Sequence, residues 1–154
     1  MKKIKLKEGD FFSIPLTQGG YGIGLVAREY RTITLGYFFD IIYQNIPEKI
    51  NDRDIRNWRI ALIGIFSSLG IKNGEWPLLK TDFIFNKEEW PIPIFKTQEP
   101  LTEKYFAVKV DITLMNDERY LISEEEAKAY FKHVSYGYES LSKQLSTILY
   151  NKNY

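Results

Sequence analysis

Apolar side chains alternate with polar or small ones from residue 10 to residue 39, and this period of two limits the fold more than any other feature. The alternation restarts twice, which predicts three antiparallel strands joined in series, with a glycine-containing hairpin loop at residues 17–20. The apolar positions are Phe12, Ile14 and Leu16, then Tyr21, Ile23, Leu25 and Ala27, then Ile33, Leu35, Tyr37 and Phe39. Aromatic residues make up 16% of the chain and suit pleated, half-buried surfaces, so we expect a β-rich protein.

Further strand signals follow at wider intervals. Residues 59–68 are almost continuously apolar, which predicts a central strand buried on both faces. Residues 105–113 alternate again, which is typical of a strand with one face toward solvent. Three short extended pieces are predicted between them, at residues 76–77, 83–85 and 90–95. Because Pro91 and Pro93 cannot donate to a strand ladder, the last piece is expected at a sheet edge or in a bulge.

The C-terminal part of the chain changes to the helical period. Ser123 followed by Glu126 is a capping box, which predicts the start of one helix. A second helix is predicted after Gly137, with Tyr138, Leu141, Leu145 and Ile148 on one stripe. Roughly eight short strands followed by two helices is the segregated order of an α+β fold. We therefore expect one domain over residues 1–154, built on a curved antiparallel sheet or a partly open barrel.

Residue types that carry many kinds of catalysis are missing from the chain. There is no cysteine and one histidine, His133, which excludes disulfides, thiol enzymes and a Cys/His metal site. A catalytic base needs a nucleophile and an orienting partner, and nearby Ser135 has no such context. His133 is instead expected just past the first C-terminal helix, where a cation stabilises the helix end. We expect no enzyme activity, no cofactor and no metal, although a carboxylate pair stays open because the sequence selects none.

The closely spaced glycines Gly20, Gly22 and Gly24 invite comparison with phosphate-binding loops. Such loops lead from a strand into a helix, whereas here strand signals lie on both sides. We therefore expect these glycines to allow a hairpin, a bulge or close packing across strands.

No segment of the sequence has the character of a membrane or export signal. The N-terminus lacks the apolar region of a signal peptide. The longest apolar run, residues 60–66, is far shorter than the roughly 20 residues that cross a bilayer. A soluble cytoplasmic protein without a membrane partner is expected.

The net charge of +1 conceals an acidic middle segment. Residues 75–126 carry 12 Asp and Glu against 6 Lys and Arg. An acidic surface steers a basic partner through its long-range field, whereas a nucleic-acid binder shows a basic footprint. A protein partner is therefore favoured over nucleic acid.

Four motifs occur in order along the chain. They are G-D-F-F-S-I-P-L-T-Q-G-G-Y-G-I-G-L-V-A-R from Gly9, G-Y-F-F-D from Gly36, G-E-W-P-L-L from Gly74 and E-E-W-P-I-P-I-F from Glu88. Taken together they resemble the immunity protein 26 family, and the resemblance extends from about Lys5 to the last helix. Members of that family are predicted to neutralise the toxins of bacterial polymorphic toxin systems. The resemblance implies an immunity protein that binds its cognate toxin and blocks the toxin's active site or substrate path.

The resemblance also separates structural from partner-binding positions. Trp76 and Trp90 belong to the shared motifs, so we expect them to anchor the fold. Contacts with a partner are expected instead in the motif-free polar segment 40–59, where a helical turn opens at Asn51 or Asp52, and in the acids around the second Trp-Pro pair. The predicted toxin-binding residues are Asp40, Asp52, Asp54, Trp58, Asp82, Glu88 and Glu89. If the toxin is a nuclease, Asp82, Glu88 and Glu89 would stand in for phosphates.

A second interpretation remains open at this stage. The abundant tyrosine and phenylalanine side chains would suit a small β-barrel module that binds a small ligand or nucleic acid on an exposed aromatic platform.

The scarcity of catalytic groups gives a first prediction. Replacing His133 by Ala leaves the biological activity of the chain intact, because the sequence places no nucleophile of suitable context beside the imidazole. Protection of bacterial cells against the cognate toxin measures this, with circular dichroism as the check on folding. Loss of protection by a well-folded His133→Ala variant would contradict it.

Overall fold

The computed structural model describes residues 4–31, 33–112 and 116–151. These residues form eleven strands, more than the roughly eight that the sequence predicts. The strands are β1 (Phe11–Pro15), β2 (Tyr21–Tyr30), β3 (Ile33–Phe39), β4 (Lys49–Ile50), β5 (Ile60–Phe66), β6 (Leu78–Thr81), β7 (Phe95–Gln98), β8 (Tyr105–Lys109), β9 (Glu118–Ile122), β10 (Phe131–Lys132) and β11 (Ser135–Tyr136).

The strands form two sheets in a partly open arrangement. The central sheet has seven strands in the order β11-β5-β3-β2-β1-β6-β4, and the second sheet has four in the order β10-β7-β8-β9. The predicted three-stranded series is confirmed, since β1, β2 and β3 pair antiparallel in sequence order. Three short outer pairings are parallel, namely β4 with β6, β7 with β10 and β5 with β11.

Helices are few. They are α1 (Asp52–Asn57), α2 (Leu69–Lys72), α3 (Glu124–Ala127), α4 (Tyr138–Tyr150) and a 3₁₀ helix at Lys87–Glu89. The Ser123 hydroxyl accepts the Glu126 N–H at 3.0 Å, as the capping box predicts, but α3 ends after one turn. The prediction of two C-terminal helices was wrong, because the chain leaves α3 to pair Phe131 with β7 and Tyr136 with β5. Among the described residues, only α4 is a helix of several turns.

The central sheet is buried on both faces. Seven consecutive residues of β2, from Gly22 to Arg28, are buried. One face of the sheet packs with α4, through Phe12, Ile14, Val26, Phe38, Leu62, Phe66, Leu141, Leu145 and Leu149. The other face packs against the second sheet, through Ile23, Leu25, Leu35, Tyr37, Phe39, Ile63, Phe95 and Val108. The molecule is therefore layered, with α4, the central sheet and the second sheet stacked in that order.

The predicted apolar stripe of α4 is confirmed. Leu141 and Leu145 are fully buried, and Tyr138 and Ile148 are partly buried against the same cluster. Polar contacts fix the helix to the first hairpin, since the Ser146 hydroxyl accepts the backbone N–H of Thr17 at 2.8 Å.

Glycines on the α4 face of the sheet leave room for aromatic rings. A Cβ added to Gly24 would lie 2.5 Å from the Phe12 ring, and one added to Gly36 would lie 2.8 Å from the rings of Phe38 and Phe66. A Cβ on Gly22 would meet Leu145 of α4 at 2.9 Å. The glycines therefore serve close packing, as the sequence predicts.

The two Trp-Pro tryptophans both pack in the interior. Trp76 is 2% exposed. Its ring stacks on those of Phe12 and Tyr138, with centroid distances of 6.0 Å and 5.5 Å. Trp90 is partly buried and meets Tyr37 edge to face at 5.1 Å. Its indole N–H is buried without a hydrogen-bond partner among the described residues.

Two predicted strands differ in their surroundings. β5 is not central, because only the two-residue β11 lies beyond it, and Ile60 at its start is 43% exposed. β8 exposes Lys109 on its outer face, as predicted, but Ala107 on that face is fully buried and packs with Ile122 and Ala127, because α3 covers that part of the strand. Thr113, the last residue of the predicted strand, lies outside the described residues.

Two further placements correct the predictions. His133 does not end a helix but lies between β10 and β11, where its backbone N–H donates to the Lys96 carbonyl at 2.7 Å. The extended piece 90–95 is not an edge strand, because only Phe95 joins β7, which is paired on both sides. The proline-containing part is left outside the ladder, since proline lacks the N–H that the ladder needs.

The burial of Trp76 gives a prediction on stability. Trp76→Ala lowers the free energy of unfolding by about 3–5 kcal/mol, because it leaves a cavity among stacked rings. Denaturant melts measure the change. Trp90→Ala is expected to cost less, since that ring is partly exposed and its N–H is unsatisfied. A Trp76→Ala protein that melts like the parent would refute the anchoring role.

The close contact between Gly24 and the Phe12 ring gives a second prediction on stability. Gly24→Ala lowers the free energy of unfolding by about 1–3 kcal/mol, because the Phe12 ring is also packed against Phe38, Phe66 and Trp76 and cannot retreat. Gly137→Ala is the matched control, since its nearest neighbour is the Ser140 hydroxyl at 3.4 Å. Equal melting of the two variants would contradict the packing argument.

Candidate functional site

Three of the predicted partner-binding residues, from two separated segments of the chain, meet on one surface. We call this the α1 surface: helix α1 with the following Trp58, then Asp82, Ile84 and the 3₁₀ helix Lys87–Glu89. The backbone N–H of Asp52 donates to the Asp82 carboxylate at 2.9 Å. Arg56 donates to both carboxylate oxygens of Asp52 at 3.0 Å and pairs with Glu89 at 3.4 Å. Asp52, Asp82 and Glu89 are therefore joined into one network.

The pairing of β4 with β6 explains how these segments meet. Ile50 pairs with Thr81, so Asp82 follows directly beside the start of α1. The Asn51 side chain makes no capping hydrogen bond, and the Asp82 carboxylate accepts a free N–H of the first turn instead. Ile50 and Ile55 are each 1% exposed and fix β4 and α1 to the core. The surface thus rests on a rigid base.

Trp58 and Asp54 lie on the other side of α1, around Tyr43. The Trp58 ring is half-buried and packs on Phe39 at 5.3 Å and on Tyr43 at 6.3 Å. Burial, and secondarily the negative charge of Asp54, raise the pKa of Tyr43 above its usual value. Asp54 and Trp58 therefore share one aromatic neighbour.

The remaining two predicted residues stand at the margins. The backbone N–H of Asp40 donates to the Arg59 carbonyl at 2.8 Å, which places Asp40 at the end of β3. Glu88 is exposed in the middle of the 3₁₀ helix, and the Asn86 side chain accepts its backbone N–H at 3.1 Å. These contacts do not join Asp40 or Glu88 to the Arg56 network.

Basic side chains lie between the predicted acidic residues on the α1 surface, and none of them was among the residues predicted to bind a partner. Arg56 joins Asp52 to Glu89 and also lies over the Phe83 ring at 5.3 Å. Hydrogen bonding to Asp52 is the main reason that the pKa of Arg56 is raised. The spacing of Asp52 and Arg56, one helical turn apart, was the available signal. Further exposed cations on or beside the α1 surface are Lys49, Arg53, Arg59 and Lys87.

This surface is therefore mixed in charge rather than uniformly acidic. The other acids of residues 75–126 lie elsewhere, for example Glu103 between β7 and β8 and Glu124 in α3. Long-range attraction of a basic partner is weakened where cations and anions alternate.

The described residues offer little to the other classes of function. Among the described aromatic side chains, those more than a third exposed are Tyr120 on β9 and Tyr150 on α4, which does not make a stacking platform. In the same ranges no group of three or more His, Asp or Glu residues is arranged to hold a metal ion.

Helices in the described ranges are too short or too polar to cross a membrane.

The comparison with protein families gives a clear result. The sequence model of the family described as immunity protein 26 matches residues 7–107. The match begins close to the expected start but ends in β8, well before the last helix. No curated protein and no solved structure matches the chain. Because the family match covers more than half of the 154 residues, this chain belongs to the immunity protein 26 family.

Proposed function

We propose that this chain is an immunity protein that binds a cognate bacterial toxin and blocks the toxin's active site or substrate path. The observation that carries the proposal is the family match over residues 7–107. Inhibition by occlusion requires one immunity protein per toxin and no catalytic residue. The proposal takes residues 1–154 as one domain that acts in the cytoplasm, where a toxin meets its target.

The α1 surface is the part of the chain that we assign to toxin binding. It combines charged groups with apolar ones. Protein interfaces do the same, with apolar groups at their centre and charged groups at their rim. Trp58 is half-buried and Ile84, between Asp82 and the 3₁₀ helix, is 83% exposed. A tryptophan on a rigid base is a frequent energetic hot spot. Binding there requires little ordering of the backbone, because Ile50 and Ile55 already fix it.

The alternating charges suggest how the surface selects its toxin. Asp52 and Glu89 are held by Arg56, so their carboxylates point in defined directions. Oriented charges favour a complementary pattern on one partner and penalise a mismatched one. Recognition then depends on local pairing more than on a long-range field.

The immunity function is tested with a toxin domain taken from a reading frame adjacent to the gene, where such a domain is encoded. Co-expression of that domain with this chain is expected to restore growth, and the two proteins are expected to co-purify at a ratio of one to one. A toxin that stays active in the presence of a well-folded excess of this chain would overturn the proposal.

The assignment of the surface gives a further prediction. Changing Asp52, Asp54, Glu88 and Glu89 together to Lys is expected to weaken toxin binding strongly, since it inverts the charge pattern. The change in unfolding free energy should be much smaller, because exposed ion pairs contribute little. Association and dissociation rates by surface plasmon resonance measure binding, and melts measure stability.

The matched control makes the same four charge reversals elsewhere. Glu75, Glu103, Glu125 and Glu139 are exposed and lie off the α1 surface. Their change to Lys alters the net charge equally and is expected to leave the dissociation rate unchanged. If both quadruple variants bind alike, the α1 surface is not the interface, although the immunity function would stand.

A further inference from the structure

A second concave site lies between the two sheets and shares only the 3₁₀ helix with the α1 surface. It is a cleft of about 570 Å³, a volume within the range of small-molecule sites. One wall is the end of β2, with Arg28 and Tyr30, and the opposite wall is the end of β8, with Lys109 and Val110. Lys87 of the 3₁₀ helix closes one side. Nothing in the proposed toxin contacts uses the interior of this cleft.

A β-bulge turns Arg28 into the cleft. In the pairing of β2 with β3, Val26 lies opposite Gly36 and Arg28 lies opposite Leu35, so Ala27 is the extra residue. Regular alternation would place Arg28 on the same side as Val26, which packs on the α4 face. The bulge instead directs Arg28 toward the second sheet, where it reaches the Lys87 carbonyl. Bulges of this kind frequently re-aim a functional side chain.

The guanidinium of Arg28 is buried without an anionic partner. Arg28 is 9% exposed and donates to the backbone carbonyls of Ala27 at 2.6 Å and Lys87 at 3.3 Å. No carboxylate in the described part of the chain forms an ion pair with it. An arginine has five N–H donors, so these two carbonyls use only part of its capacity.

Burying the guanidinium of Arg28 with only neutral carbonyls as partners costs free energy unless an anion also binds to it. Removing a charged group from water is unfavourable, and neutral carbonyls compensate it less than an anion does. A carboxylate or phosphate oxygen forms the strongest hydrogen bonds to a guanidinium, often through two parallel N–H groups. Arg28 is therefore ready to receive an oxyanion that enters the cleft.

The other charges of the cleft limit which anion fits. Four carboxylates also line it, from Glu8, Glu29, Asp111 and Glu118. Glu8 pairs with Lys87 at 3.5 Å and accepts the backbone N–H of Glu29, and Glu118 lies opposite Lys109 across the two strands. These acids repel a ligand with several negative charges. The residues that line the cleft therefore favour a ligand with a single oxyanion, bound at Arg28.

We propose that the cleft between the two sheets binds a ligand through one carboxylate or phosphate group, which the guanidinium of Arg28 receives. The source of that group is either a small soluble anion or an acidic side chain of a bound protein. Polyanions such as single-stranded DNA are not ligands of this site. The inference does not rest on the proposed toxin binding, although the 3₁₀ helix borders both sites.

The test follows the side-chain Nε–H resonance of Arg28 by NMR, using the full chain and constant ionic strength set with chloride. The probes are acetate, inorganic phosphate, an acetylated and amidated peptide with one central Glu, and single-stranded DNA. Saturable shifts with at least one of the first three support the proposal. A larger response to the peptide than to acetate assigns the site to a protein side chain, and the reverse assigns it to a small anion.

Two variants separate a specific site from general attraction. Arg28→Gln keeps a polar side chain but loses the charge and is expected to lower the affinity about tenfold or more, read from backbone resonances of Tyr30 and Lys109. Arg53→Gln removes an exposed cation of α1 that does not line the cleft, and is expected to leave the affinity unchanged. Arg28→Lys, which keeps the charge, is the alternative if Arg28→Gln fails to fold.

Three outcomes would overturn the proposal. They are shifts that grow linearly without saturation for every anion, equal affinity in the parent and the folded Arg28 variant, and tighter binding of DNA than of the single anions. None of these outcomes bears on toxin neutralisation, which the growth assay measures separately.

Discussion

The contact between the Phe12 ring and the backbone at Gly24 is the constraint on which the layered structure depends. A side chain at Gly24 would occupy the place of the ring, since its Cβ would lie 2.5 Å away. The ring in turn stacks on Phe66 and Trp76, which build the layer that α4 covers. Aromatic surface buried over a bare backbone is strongly stabilising, because both the ring and the strand below it leave water. The same sheet can then hold a second apolar cluster on its opposite face.

Local patterns predicted the elements that depend on neighbours in sequence. The alternation of β1 to β3, the stripe of α4 and the Ser123 cap each arise from adjacent residues and were found from them. The two-residue strands β4, β10 and β11 carry no period, because their pairing is decided by distant partners. The same holds for the site: sequence selected Asp52 and Glu89 separately, but only the fold brings Arg56 between them. No role was predicted for Arg28 from the sequence, since a bulge has no reliable signal in a single sequence.

The 3₁₀ helix Lys87–Glu89 lies between the two surfaces and contributes to both. Glu89 pairs with Arg56 on one side, while Lys87 pairs with Glu8 on the other and offers its carbonyl to Arg28. A ligand in the cleft and a protein on α1 would each contact this short turn. Any shift of the turn therefore changes both sites, and linkage makes that effect reciprocal.

The chain crosses from one sheet to the other within six residues near its C-terminal end. Phe131 and Lys132 extend the second sheet as β10, and Ser135 and Tyr136 extend the central sheet as β11. This short strap holds the two layers in one relative position, since neither sheet can slide without breaking a ladder of hydrogen bonds. Its partners in β5 and β7 lie far earlier in the chain, so these contacts close large loops and carry a high entropic cost. During synthesis the strap can form only after residue 136 has left the ribosome, so the two layers are not fixed to each other until both sheets have been made.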